Sequence, residues 1–204
     1  SVPTTGGQWE VVRGAPRLTY PYLQLLRPST NEAILAAQAT DKTLYITGDD
    51  GRTWVGRPMP GLCSQLLHLT AVAGRDVWAL CSGGAPSDVQ TKNLYRSVDT
   101  GRTWALVASS GPGATSGTGT LPTLGIVTLI TSVSPDRLWI ALDDDRLLAS
   151  MDGGRTWTGQ GLPPSRAVNQ LTFTNARDGW ALLSPGDVLY RTSDGGRRWL
   201  PAPG

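Results

Sequence analysis

The sequence predicts an all-β fold, a β-propeller of four-stranded antiparallel blades, and three observations carry that expectation. One eight-residue phrase is written four times, first as Thr47-Gly48-Asp49-Asp50-Gly51-Arg52-Thr53-Trp54 and again at 97–104, 150–157 and 192–199. A phrase repeated at intervals means one supersecondary unit stacked on copies of itself. The closing tryptophans, Trp54, Trp104, Trp157 and Trp199, stand 50, 53 and 42 residues apart, the length of a four-stranded blade. Composition agrees: the 204 residues include 25 Gly, 15 Pro and 8 Trp, but only two Glu (Glu10, Glu32) and two Lys (Lys42, Lys92), so these helix formers are scarce.

Each unit reads as the same succession of strands. Apolar first strands fall at Tyr22 to Leu26, Leu66 to Val72, Ile126 to Val133 and Val168 to Thr174. Second strands follow at Ala33 to Ala37, Asp76 to Leu80, Leu138 to Leu142 and Asp178 to Leu182, the last three containing Trp78, Trp139 and Trp180. Third strands, Leu44-Tyr45-Ile46, Leu94-Tyr95-Arg96, Leu147-Leu148-Ala149 and Leu189-Tyr190-Arg191, lead into the phrase, whose tryptophan opens the fourth. Runs this short, broken by polar turns such as Gly74-Arg75-Asp76, favour an antiparallel meander.

The units cover 20–58, 64–108, 124–160 and 167–202 of a single domain, 1–204. Trp9-Glu10-Val11-Val12 reads as a lone outer strand over 8–13, keeping the period at 45 residues before Trp54. Five outer strands against four inner triplets leave three closures open. They are a compact ring of four with the spare strand on an edge, a larger ring, or a piece of a longer propeller.

Within the phrase, the Ser or Thr and the Asp two residues on suit a turn in which both side chains accept backbone N–H groups. The glycine two residues after the Asp permits a positive φ. The tryptophan three residues later folds back between its sheet and the next blade. This phrase resembles the Asp-box, or BNR, repeat (Ser/Thr-x-Asp-x-Gly-x-Thr-Trp), with Arg198 in place of Thr in the fourth copy and an extra acid, Asp50, in the first. Asp-box propellers include sialidases, sortilin-type receptors, some glucan-degrading hydrolases and a photosystem II assembly factor, whose Gly-Trp-Ala strand and Asp-Gly-Gly hairpin are the most similar. The resemblance implies that the boxes are scaffold lying away from the binding face, which makes Asp49, Asp99, Asp152 and Asp194 turn-formers. Arg52, Arg102, Arg155 and Arg197 would ring one face, read as solvated turn residues in preference to an anion-binding ring.

A sialidase-like site requires three arginines, a Tyr–Glu pair and an Asp, yet only Glu10 and Glu32 are available, on an outer strand and at the start of a second strand. Asp143-Asp144-Asp145, Asp187 and Asp88 are the carboxylates available to another glycosidase, and the first three fall where a hairpin turn is expected. His68 stands on an inner strand without a nucleophile motif, and Cys63, Cys81 and one His do not make a zinc site. No catalytic, cofactor or metal residue is assigned. A net charge of +2 without a Lys/Arg run argues against nucleic acid, and no apolar stretch is long enough to insert in a membrane.

The expected function is a non-catalytic interaction module. It binds a protein or glycan partner through the face that carries the blade-to-blade connectors and the second-to-third-strand turns. The alternatives are a fragment of a carbohydrate-active, sialidase-like enzyme and a photosystem-assembly-like factor. On the connector face Ser82 to Asn93 and Leu106 to Thr123 are the long loops, and Ser109 to Thr120, all Ser, Gly, Pro, Ala, Thr and Leu-free, reads as a floppy insertion. Cys63 and Cys81 fall on one face, where a bridge is geometrically open but undecided by sequence. A bridge would place the protein in an oxidising compartment, secreted or membrane-tethered.

Overall fold

The computed structural model describes residues 14–17, 23–37, 43–61, 63–72, 75–82, 91–110, 118–163 and 167–202. The proposed strand at 8–13, Glu10, Asp88 and the middle of the 109–120 insertion lie outside them. The described residues form four sheets in chain order, antiparallel except for one added parallel strand, with no helix. The first holds β1 (Leu23–Leu26), β2 (Ala33–Ala37), β3 (Thr43–Thr47) and β4 (Val55–Pro58). The second holds β5 (Gln65–Ala71), β6 (Val77–Ser82), β7 (Lys92–Ser97), β8 (Ala105–Ser109) and β9 (Gly119–Thr120). The third is β10 (Val127–Ser134), β11 (Arg137–Leu142), β12 (Arg146–Ser150) and β13 (Thr158–Gly161). The fourth is β14 (Ala167–Phe173), β15 (Gly179–Ser184), β16 (Val188–Thr192) and β17 (Leu200–Pro201).

Each repeated phrase is the hairpin between third and fourth strands, and its chemistry is the same four times. The opening hydroxyl donates to the aspartate, as Ser97 Oγ does to Asp99 at 2.7 Å, and accepts from the glycine N–H, Gly101 to Ser97 at 2.7 Å. The carboxylate then accepts the N–H two residues beyond that glycine, Thr103 to Asp99 Oδ1 at 2.8 Å. The Thr hydroxyl adds a bond to Oδ2 in the first three copies, at 2.7, 2.7 and 2.6 Å. Arg198 supplies only its N–H, at 2.9 Å.

Two consecutive residues of the turn take positive φ. Gly101 (82°) was the expected one, but Thr100 before it stands at 62°, and Asp50 likewise at 58°. Thr100 is held there by its N–H to the Arg75 carbonyl, 3.0 Å, which ties the phrase to the turn between first and second strands. Equivalent bonds run from Asp50, Gly153 and Gly195 to Asn31, Asp136 and Arg177.

Burial pushes the Asp99 carboxyl up, but the bonds from Thr103 and Ser97 outweigh it and hold the group at about 2. Asp49 is also lowered to about 2, chiefly by the Thr53 backbone and hydroxyl. A carboxylate with a depressed folded pKa adds stability above its unfolded value near 4, and that stability is lost as pH falls toward 2. Asp99→Asn should therefore melt about 2–4 °C below the wild type at neutral pH, with the gap closing as thermal scans are repeated down to pH 2.

The core lies between sheets. Three apolar clusters fill the first-to-second, second-to-third and third-to-fourth junctions. Each junction has the same construction: the hairpin of the later sheet presses on the face of the earlier one. A Cβ on Gly154 would meet Leu94 at 2.9 Å and Val107 at 3.2 Å, which is why only glycine fits. Trp104, Trp157 and Trp199 accordingly pack toward the preceding sheet and not the next, and they are half-buried. Each donates its Nε1–H to the glycine carbonyl of its own turn, at 3.1, 3.0 and 3.0 Å. That bond keeps the ring turned back, so the fourth strand starts one residue later than expected. Among the described residues, Trp78 and Trp139 on the second strands are the fully buried tryptophans.

The innermost strands are stitched by side chains: Gln24 bonds Leu67 O (2.9 Å) and Leu69 N (2.7 Å), and Thr70 bonds Ser132 (3.1 Å). Bulges at Leu66/His68, Val127/Leu129 and Val168/Gln170 recur at the start of the last three first strands, a regularity with no sequence signature. Among the described residues no apolar cluster joins the fourth sheet to the first.

Candidate functional site

The face opposite the hairpin phrases carries the connectors, and its best-built part lies between the second and third sheets. The 109–120 stretch does not end as a loop: Gly119–Thr120 pairs in parallel with Ala108–Ser109 as a fifth strand. Gly119 lies against the Arg155 carbonyl, where a Cβ would come within 2.4 Å, so a small residue is what allows the strand to lie down there. Leu121 is then buried, and Leu124-Gly125-Ile126 crosses the surface with its two apolar side chains 62% and 46% exposed.

Three elements hold this ridge. The turn at Asp143–Asp145 clasps it, Ile126 N donating to Asp143 Oδ1 (2.7 Å) and Asp143 N to Ile126 O (2.9 Å). Arg146 joins Asp144 (2.6 Å) and donates to Leu124 O (3.0 Å). From beneath, Lys92 at the start of β7 is fully buried and directs its Nζ at the carbonyls of Pro122 (3.1 Å), Thr123 (3.1 Å) and Leu124 (3.5 Å). Hydrogen bonding from Arg146 lowers Asp144, and the same bond raises Arg146. Burial lowers Lys92 to about 8, with repulsion from Arg146 adding to it and Asp143 and Asp144 opposing it.

The acid run is thus a turn, as the sequence suggested, and its carboxylates brace the ridge. Asp187, in the corresponding turn of the fourth sheet, accepts from Asn169 (3.0 Å). Glu32 lies at the first junction, where it accepts from Ser29 and Thr100 at 3.1 Å and pairs with Arg102 at 3.5 Å. His68 faces the Thr128 backbone, and burial lowers its pKa against that hydrogen bond. Cys63 and Cys81 form a disulfide with a Cα separation of 5.0 Å, fixing the first connector to the end of β6. Among the described residues no group of three or more His, Cys, Asp or Glu is placed to hold a metal ion. No helix of the described residues is long and apolar enough to cross a membrane.

On the hairpin face, Arg52, Arg102 and Arg155 reach back to carbonyls of their own turns, at 3.4, 2.7 and 3.0 Å. That is how solvated turn residues behave. A cavity of about 280 Å³ between the third and fourth sheets is lined by Arg137, Arg177 and Arg197 among others, but Arg137 is engaged with the Met151 carbonyl. The ridge and its buried lysine escaped the sequence reading. Leu124 has no place in the strand pattern, Ile126 reads as the start of the third unit's first strand whereas β10 begins at Val127, and the signal for Lys92 is only that lysine is scarce where arginine is common.

No protein-family model matches the sequence, and no curated protein does. Solved structures do match. An ancestral GH74 enzyme superposes with a TM-score of 0.56 at 16% identity, over 89% of this chain and 24% of that one. The GH74 xyloglucanase from Xanthomonas campestris gives 0.55 at 14%, over 82% and 26%. The dihydro-heme d1 dehydrogenase NirN gives 0.55 at 14%, over 90% and 36%. All three are β-propellers. This chain has the β-propeller fold. Its four sheets are blades, and it spans 26%, 24% and 36% of the length of the xyloglucanase, the ancestral enzyme and NirN. At these identities the likeness establishes the fold alone.

Proposed function

We propose that this propeller is a non-catalytic interaction module of the Asp-box type that binds a protein partner through its connector face. The observation that carries the reading is the Leu124–Ile126 ridge: two exposed apolar side chains on a clasped backbone, flanked by Asp144 and Arg146. An apolar centre with a charged rim is the anatomy of a protein-binding patch. Support against hydrolysis comes from the carboxylates. Asp143, Asp144, Asp187 and Glu32 are each committed to a bond that holds a turn or a junction, where a glycosidase would aim two across a cleft. The Cys63–Cys81 bond supports residence outside the cytoplasm, secreted or tethered.

The test is site-specific photo-crosslinking from position 124, with the captured protein identified by mass spectrometry and its affinity then measured. Leu124→Asp with Ile126→Asp should weaken that affinity about tenfold or more, and Arg155→Ser on the opposite face should leave it unchanged. Undiminished affinity in the ridge variant sinks the reading. So does polysaccharide turnover by the wild type that a single Asp143→Asn change abolishes.

A further inference from the structure

The arginines of the repeated phrase are alike in sequence and unlike in what they meet. Register aligns Ala33, Val77, Leu138 and Gly179, which pair with the Ser or Thr that opens each phrase. The residues just before them are Glu32, Asp76, Arg137 and Asp178. Each of the acids has an arginine partner. Glu32 reaches across the first junction to Arg102 of the next blade (3.5 Å), while Asp76 and Asp178 pair with Arg96 (2.6 Å) and Arg191 (3.4 Å) of their own blades. On the third blade an arginine takes the place of the acid, and the hairpin of the fourth blade sets Arg197 in the same cavity as Arg137.

That cavity, of about 280 Å³, is lined by Arg137 from the third blade and by Arg177 and Arg197 from the fourth. Arg52, Arg102 and Arg155 each donate to a carbonyl of their own turn. Among the described residues the side chains of Arg177 and Arg197 make no hydrogen bond or ion pair. Arg137 gives Met151 O one N–H of a guanidinium that carries several. Asp194 is the carboxylate among the lining residues, and it is already engaged by Thr192 Oγ1 (2.9 Å) and the Arg198 N–H (2.9 Å). Gln160 also lines the space, and its Oε1 is buried with no donor among the described residues. Like charges gathered in one cavity repel unless an anion lies between them.

We propose that this cavity binds a phosphate group, free or as the monoester of a small molecule. Charge selects an anion. Three arginines against one aspartate leave an excess of two positive charges, and a phosphate monoester near neutral pH carries about −1.5 to −2. Donor count selects phosphate over carboxylate. Guanidinium forks from three separate positions offer more N–H groups than the two oxygens of a carboxylate readily accept, whereas a phosphate monoester turns three oxygens outward. The volume is near the small end of small-molecule sites, and the Gln160 amide is at hand for a hydroxyl of the ligand's body. The cavity lies between two blades on the hairpin face, so the proposal does not depend on the connector-face reading.

The experiment is titration calorimetry on the intact chain at neutral pH and physiological salt, with inorganic phosphate, glucose 6-phosphate, glucuronate and glucose as probes. Inorganic phosphate or glucose 6-phosphate should bind with a Kd of about 1 mM or below, and glucuronate and glucose at least about tenfold more weakly. Tighter binding of glucose 6-phosphate than of phosphate assigns the site to a monoester, and the reverse assigns it to the free ion. Arg177→Ser and Arg197→Ser replace exposed side chains, so both should melt as the wild type does, and each should weaken binding about tenfold. Arg137→Glu, which restores the acid of the other blades, should abolish binding in a protein that still melts cooperatively. Arg155→Ser, the equivalent of Arg197 one blade earlier, should leave it unchanged. Failure of both phosphate probes to bind, glucuronate binding as tightly as glucose 6-phosphate, unchanged affinity in Arg177→Ser and Arg197→Ser, or an equal loss in Arg155→Ser overturns the proposal.

Discussion

Trp139→Ala should lower the unfolding free energy by about 3–5 kcal/mol, the largest single-residue effect expected in the third-to-fourth junction. The indole is fully buried and lies flat on Phe173 of the next blade, with ring centroids 3.8 Å apart and an interplanar angle of 6°. Its Nε1 donates to the carbonyl of Gly195 in the next hairpin at 3.0 Å. Truncation therefore removes packing on two blades and leaves a buried carbonyl without its donor.

A comparison with Trp78 separates packing from hydrogen bonding. Trp78 is equally buried, but among the described residues its Nε1 finds no acceptor. Trp139→Phe should thus cost more than Trp78→Phe, by about 1–2 kcal/mol for one buried hydrogen bond and the carbonyl it orphans. Chemical denaturation of the three variants measures this. Equal costs for the two Phe substitutions would show that the Gly195 bond contributes nothing.

Lys92→Met should destabilise the protein by about 2 kcal/mol at neutral pH and by more at alkaline pH. The methionine can fill the same volume, but the carbonyls of Pro122 and Thr123 lose the Nζ donor they share. An orphaned buried carbonyl costs about 1–3 kcal/mol, which outweighs the gain from removing a buried ammonium that is already well hydrogen-bonded. The pH dependence follows from the lowered pKa. Burial sets the folded value at about 8, below the ordinary value of 10.5. Between those values the unfolded chain binds more protons, so Lys92 makes the wild type gain stability as pH rises from 8 toward 10.5, by roughly 3 kcal/mol at most. Falling pH loses that increment through the folded pKa. The variant lacks it, and the difference between the two pH–stability profiles should widen above pH 8. Parallel profiles would show that Lys92 titrates normally.

Much of the architecture could be read from the chain. The hairpins were legible because the side-chain bonds that close them run between residues two to four apart, as from Ser97 to Asp99 and from Asp99 to Thr103, whereas the tie from Thr100 to the Arg75 carbonyl has no local signal. The strand order followed from the same period. The direction in which Trp104 packs did not, because the local turn is the same whether its ring meets the blade before or the blade after. The candidate site was legible only as a face. Its acid run was placed correctly in a turn, yet the ridge that the turn clasps depends on Lys92 reaching Pro122, Thr123 and Leu124, about thirty residues away in the chain. The tail of the glycine- and serine-rich insertion was misread as structureless. Composition records the low intrinsic preference of Gly119 and the surrounding glycines for a strand, and the partner strand β8 overrides it.

By itself, then, the sequence determined the unit: four strands, a hairpin closed by Ser or Thr with Asp, and a tryptophan to staple it. Those features arise from short-range hydrogen bonds and alternating burial, which spacing encodes directly. Only the tertiary structure decided which faces are covered. Leu189 and Leu94 occupy the same place in the same pattern, and one is exposed while the other is buried. Burial is a property of what lies across the gap, and a repeat that makes each blade alike does not encode it.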